Sequence, residues 1–179
     1  MSSGQLSAIS YQLSASFCGV SVNSETGRRA GRLETEENFT VKLVETEREL
    51  EAAIGVRFRV FVAEQSIPAE EELDEADATA THAIALHQRT VVGTGRLLQK
   101  DAETAIIGRM AVDQEWRRHG VGGLILEYLE NVARSLGMKR STLNAQEYVK
   151  EFYASHGYVE HGEVFLEVEI PHIEMRKEL

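Results

Sequence analysis

The sequence holds one cysteine, Cys18, among 179 residues. That excludes an internal disulfide and leaves Cys18 without the partners a metal site needs. A reducing, cytoplasmic setting is the expectation. Bases are also short, 19 Lys and Arg against 29 Asp and Glu, for a formal net charge of -10 at pH 7. A nucleic-acid partner wants a basic face, so this balance argues against one. It is compatible with a cationic small substrate. No apolar run approaches the roughly 20 residues of a membrane-spanning helix, and no membrane partner is expected. His82 and His87, five apart on one strand, face opposite sides and share no metal ion.

What is present suits one domain with a sizeable core. Residues 1–37 read as a low-complexity N-terminal tail. QLSAISY and QLSASFC nearly repeat, serine is abundant, and acids are almost absent before Glu34. The Ser-rich, Arg-bearing composition also fits a transit peptide, although a dispensable extension is the plainer reading. The domain then spans 38–179.

FTVKLV opens the domain as a strand. Thr46 and Glu49 make a capping box, each side chain satisfying a backbone donor at a helix start. Leu50, Ala53, Ile54, Phe58 and Phe61 recur at helical spacing to about Ala63, and Pro68 ends any continuation. Residues 64–77, EQSIPAEEELDEAD, carry many carboxylates and no base, and read as an exposed loop with at most one helical turn.

HAIALHQ, VVGTGRLLQ and TAIIGRMAV form an antiparallel meander, turned near Arg89-Thr90 and Lys100-Asp101. Val121, Leu124, Ile125, Tyr128, Leu129, Val132, Ala133 and Leu136 mark a helical stripe stopped by Gly137. STLNAQ follows as a strand parallel to IIGRMAV, through a right-handed crossover. A short helix over 148–156 ends at Gly157. Strands near YVEH and VFLEVEI close the sheet, the last an edge that offers a surface for dimerisation. The order βα(α)βββαβαββ describes a single α/β domain, a mostly antiparallel mixed sheet with one parallel pair and helices on both faces.

The most informative stretch is Gly108 to Gly123, GRMAVDQEWRRHGVGG. A strand ends, a short polar connection with Trp116 follows, and Arg117-Arg118-His119-Gly120-Val121-Gly122 has the spacing R-x-x-G-x-G before a long helix. Glycines let a backbone approach a ligand closely. The first N–H groups and the dipole of the helix favour an anion, and two arginines add forked donors. The pattern reads as a pyrophosphate cradle. A strand-to-helix turn that binds nothing is the plain alternative.

Strand, R-x-x-G-x-G turn, long helix, strand with Asn144, then Phe152-Tyr153-Ala154-Ser155-His156-Gly157-Tyr158: together these resemble the GNAT superfamily of acetyl-CoA-dependent N-acetyltransferases. Phe58 to Gln65, Gly93 to Leu97 and Pro171-His172 resemble its ElaA/YjcF-like branch. The resemblance implies a parallel strand pair splayed by a bulge, which Gly108 would ease. It implies that Arg117, Arg118, His119, Gly120, Val121, Gly122 and Gly123 hold the pyrophosphate of acetyl-CoA, mainly by backbone N–H groups. Met110, Ala111 and Val112 would present main-chain groups to the pantetheine arm. The Met110 N–H would polarise the acetyl carbonyl. Asn144 would reach the pantetheine or a phosphate, and Tyr153 would protonate the departing thiolate. An aromatic that simply packs the last helix is the alternative for Tyr153.

An amine is mostly ammonium at neutral pH, given a lysine-like pKa of about 10.4, so a base or water chain must take a proton. Glu64, Asp77, His82 and His172 are the candidates. Each has a plainer role, in a solvated acidic stretch for the first two and at strand ends for the histidines. Two rival readings stand beside the enzyme. Arg57, Phe61, Asp74, Asp77 and Arg96 resemble the spacing in acyl-homoserine lactone synthases, and a non-catalytic acyl-CoA sensor would keep the cradle without needing Tyr153.

Overall fold

The computed structural model describes residues 33–34 and 39–179. Most of the predicted tail, with Cys18 and the transit-peptide-like composition, lies outside the described residues. Leu33–Glu34 form β1, paired with Val41 and Thr40 of β2. β2 (Phe39–Leu43), β3 (Thr81–His87), β4 (Thr90–Gln99) and β5 (Thr104–Val112) continue antiparallel. β6 (Arg140–Gln146) pairs parallel with β5, and β8 (Ile170–Glu178) lies between β6 and β7 (Val159–Glu167). The result is one eight-stranded mixed sheet in the order β1-β2-β3-β4-β5-β6-β8-β7.

α1 (Glu47–Arg57) packs on β3, β4 and β5 from one face, and α3 (Val121–Ser135) packs on β2 to β5 from the other. The predicted stripe explains α3: Val121, Ile125, Tyr128, Leu129, Val132 and Ala133 are buried in the main core. Leu126 joins them, while Leu136, at the helix end before left-handed Gly137, turns out to solvent. Two glycines of β4 let this helix come close. A Cβ on Gly95 would sit 2.6 Å from the Met110 sulfur and 2.8 Å from Ile125, and one on Gly93 would sit 2.9 Å from Ile125.

Three expectations need correction. Thr46 caps α1 by accepting from the Glu49 N–H, but the Glu49 carboxylate reaches back to the Glu45 N–H rather than to Thr46. The helix runs on past Arg57, yet residues Phe58–Glu64 wind as a wider π-helix. The acidic stretch is not simply solvated. It holds α2 (Ala69–Glu72) and a 3-10 turn (Glu75–Ala78), and Glu72 is 2 % exposed.

The last two strands are also redrawn. YVEH and VFLE lie on one strand, β7, bulged near Gly162, and the hairpin turn falls at Val168-Glu169. Both turn residues adopt left-handed φ, 48° and 61°, where glycine or asparagine is the usual signal. Gly162, which looks like the turn, supplies the bulge instead.

Candidate active site

β5 and β6 pair only at Thr104–Arg140, Ala105–Ser141 and Ile106–Thr142. Beyond these three pairs the strands diverge, and residues 107–112 of β5 have no ladder partner on the β6 side. The cause is visible in β4. Thr94 pairs with Ala111 and Arg96 with Gly108, so Arg109 and Met110 together oppose Gly95. This is a bulge, which bends its strand and raises its twist. The distorted residue is not Gly108, as expected, but Arg109, at φ 50°.

The glycine-rich turn lies at the far end of the same strand. Arg118 and Gly120 are left-handed, at φ 66° and 79°, and Gly120 leads into α3 with no side chain capping the first turn. A Cβ on Gly120 or Gly108 would meet nothing within 4 Å. The first N–H groups of α3, from Val121, Gly122 and Gly123, have no partner within the helix, as at any helix start. Trp116 pins the turn from beneath, its ring 5.6 Å from Phe39, 4.3 Å from His87 and 6.1 Å from His119.

The two arginines part company. Arg118 is exposed. Arg117 donates to the Val112 carbonyl at 2.9 Å and to Glu64 at 2.6 Å, so its side chain ties the turn to the π-helix. That contact also takes the Val112 carbonyl, and the main-chain groups of Ala111 face Thr94 in the β4 ladder, so Met110 is left as the main chain turned to the gap. Ala111 itself is buried against Val56 and Val60 of the α1 side.

α4 (Lys150–Ser155) packs against the opening of α3. The Phe152 ring would touch a Cβ on Gly122 at 3.4 Å, and His156 Nε2 one on Gly123 at 2.8 Å. His156 donates from Nδ1 to the Phe152 carbonyl at 2.7 Å, which fixes that ring. Tyr153 beside it is buried, edge-on to Phe152 and Tyr158 at 5.0 and 6.0 Å. Burial pushes its phenol up to about 12. Such a group stays protonated and can act as an acid.

Three residues bridge the rim of the gap. Gln146 donates to Gln65 at 2.9 Å, Gln65 to the Tyr148 hydroxyl at 3.2 Å, and Tyr148 to Gln146 at 2.6 Å. This ring joins the end of the π-helix to the end of β6. Asn144, farther back on β6, is exposed and donates to Glu167 of β7 at 3.3 Å.

The four base candidates do not converge. Asp77 is bound by Arg57 at 2.7 and 3.0 Å and by Arg96 at 2.7 Å. Although burial opposes it, these guanidiniums hold its carboxyl well below the usual carboxylate range. A base role for Asp77 is thereby corrected. His82 donates from Nε2 to the Asp77 carbonyl at 3.0 Å, and burial lowers its pKa. It stands on β3, four strands from β8, where His172 lies, with the β5–β6 gap between them. Glu64 is paired with Arg117. His172 donates from Nδ1 to the Ile170 carbonyl at 2.8 Å, which leaves Nε2 as its lone-pair nitrogen.

Arg57, Asp74, Asp77 and Arg96, widely spaced in sequence, do come together. Arg57 is fully buried and also holds Glu72 through its Nε and the Glu72 carbonyl. Arg96 grips both Asp74 oxygens at 2.7 and 2.9 Å. Arg109 adds a third guanidinium, 3.2 Å from Asp74. Phe61 stays outside, against Val56, Val60 and Ala111. Sequence reasoning passed over Arg109 and Glu72 because a charge run gives no sign of which members fold inward.

A splayed parallel pair beside an uncapped glycine turn fits an acyltransferase. The chain belongs to the GNAT family: the model of the acetyltransferase (GNAT) domain matches residues 34–179. Among relatives, the uncharacterized N-acetyltransferase YjcF of Bacillus subtilis is 39% identical over 137 residues, covering 76% of this chain and 97% of that protein. The structure of ElaA from Escherichia coli is 29% identical with TM-score 0.69, covering 79% of this chain and 98% of that one. An acyl-CoA N-acyltransferase from Pseudomonas aeruginosa is 31% identical with TM-score 0.69, covering 78% and 98%.

Proposed function

We propose that the protein moves an acetyl group from acetyl-CoA to a primary amine of a small molecule or peptide by direct attack. The observation that carries this reading is the divergence of β5 and β6 past Ile106 and Thr142, which leaves the main chain at Met110 unpaired on that side. Acetyl-CoA supplies the thioester. The α3 N–H groups of Val121, Gly122 and Gly123 bind its pyrophosphate, and the main chain at Met110 aligns its arm. The amine nitrogen bonds to the acetyl carbon, the carbon–sulfur bond breaks, and the sulfur takes a proton from Tyr153. The Met110 N–H stabilises charge on the acetyl oxygen. For the amine's own proton, His172 Nε2 is the candidate: Asp77 and Glu64 are ion-paired, and the free Nδ1 of His82 is buried beside Arg57, Arg96 and Asp77.

The test is thiol release from acetyl-CoA over chemically diverse amines. Tyr153→Phe is expected to lower kcat by about 100-fold or more, the span of general acid catalysis, with acetyl-CoA affinity by calorimetry nearly intact. Wild-type protein that binds acetyl-CoA and releases no thiol with any amine would instead be a sensor. The gathering of Arg57, Asp74, Asp77 and Arg96 favours a second reading, an acyl-homoserine-lactone-synthase-like transfer. Its mark is methylthioadenosine released from S-adenosylmethionine. The glycine turn weighs for acetyl-CoA.

A further inference from the structure

We propose that Arg109 is a positioning residue: anchored in the buried ion network, it holds the β5 bulge and through it aims the Met110 N–H into the slot. This rests on the reading that the slot takes the thioester. An L-residue in the left-handed region is strained. The cheap place for that strain is Gly108, next in sequence and with open space around it, yet Arg109 carries it.

The side chain explains why. Arg109 Nη2 donates to the Asp74 carboxylate at 3.2 Å and to the Glu71 carbonyl at 3.3 Å, and its Nε lies 3.8 Å from Glu72. Asp74 is itself fixed by Arg96 of β4, and Glu72 by Arg57 of α1. The guanidinium is thus a peg through the acidic segment, tied to two other elements. On the opposite face the Met110 sulfur rests over Gly95, where no Cβ would fit. The peptide between Arg109 and Met110 is therefore held from both sides, and the Met110 N–H belongs to that peptide. Three guanidiniums meet three carboxylates, Glu72, Asp74 and Asp77. With its charges balanced, the cluster suits a scaffold better than a binding site for a charged acceptor.

The test compares Arg109→Gly, which permits the backbone conformation but removes the peg, with Asp74→Asn at the exposed end of the network. Each should lower kcat by about tenfold to 100-fold, as small misplacements of reacting groups do. CoA affinity by calorimetry should stay within about twofold, because the pyrophosphate turn is untouched. The double variant should lose little more than either single one. In amide spectra the Met110 resonance should move in both variants while those of Val121 to Gly123 stay in place. That readout needs no turnover, so a failure of the acetyl-transfer reading, seen in wild type alone, is told apart from a failure of this one. A folded Arg109→Gly protein with wild-type kcat or an unmoved Met110 resonance would overturn the proposal. So would a loss of CoA affinity in step with kcat.

Discussion

The two halves of the sheet are built differently. Strands β2 to β5 are antiparallel throughout, with α1 on one face and α3 on the other, and are braced by arginine–carboxylate pairs. Strands β6, β8 and β7 hang from three parallel pairs, α3 reaches them mainly at its far end, where Glu130 accepts from Lys177 of β8, and every residue of β7 is exposed. In the proposed reaction the chemistry falls on the seam. One half can hold a backbone N–H to a fraction of an ångström, while the other only has to supply a wall that stands away from it. Strain is concentrated accordingly: the bulge at Arg109 sits in the braced half, where it can be held.

Breaking the brace should give the largest effect. Arg57→Ala strips the partner from buried Glu72 and from Asp77, and leaving buried charges unpaired costs about 3–5 kcal/mol. Urea unfolding should show a loss of that size. The same variant should change the acid limb. In the native protein the Asp77 carboxyl is held below its ordinary value, so its contribution is present above the unfolded pKa and lost as pH falls. Stability of Arg57→Ala should therefore fall less steeply below about pH 4 than that of wild type. A loss under about 1 kcal/mol would mean that the two halves are equally lightly held.

Gly95→Val probes the same half from its other face. The new side chain would meet Met110, Ile125 and Leu129 at under 3 Å. Overpacking of this kind costs about 1–3 kcal/mol, measurable as a lower urea midpoint. Turnover should fall further than stability, since Met110 is the residue displaced.

Legibility in the sequence followed the same division. The meander, α3 and the turn were readable because hydrophobic period and glycine spacing are local signals. The hairpin at Val168-Glu169 was not, because two residues without turn chemistry are forced left-handed by strand pairing on either side. Glu72 and Arg109 were hidden for another reason. Their partners lie 15 residues or more away, and composition alone makes an inward carboxylate look like its solvated neighbours. The glycine turn was legible as a turn, but nothing in its spacing told that Arg117 bonds the Val112 carbonyl and Glu64.

The seam itself can be sharpened by pH. If Tyr153 is the acid, burial that pushes its phenol up to about 12 keeps it protonated through the working range. The rate at low amine concentration should rise roughly tenfold per pH unit below an amine pKa of about 10.4, with no alkaline fall before about pH 12. A downturn near pH 10 that vanishes in Tyr153→Phe would show the phenol in a wetter site than its burial provides.

The smallest effect is expected in the open half. Leu166 is 70% exposed on β7, with no helix above it. Substitution there should change stability by no more than about 0.5 kcal/mol, as surface changes usually do. Leu166→Lys should therefore leave the melting temperature and the acetyl-CoA affinity at wild-type values. β7 is also the edge of the sheet, with unpaired backbone groups and exposed Val164, Phe165 and Leu166 along it. Were that edge covered by a second copy of the chain, Leu166→Lys would lower the melting temperature by an amount that depends on protein concentration. Sedimentation of the two proteins over a range of concentrations separates the outcomes. A concentration-dependent loss would make the far half as well braced as the near one, with its brace supplied from outside the chain.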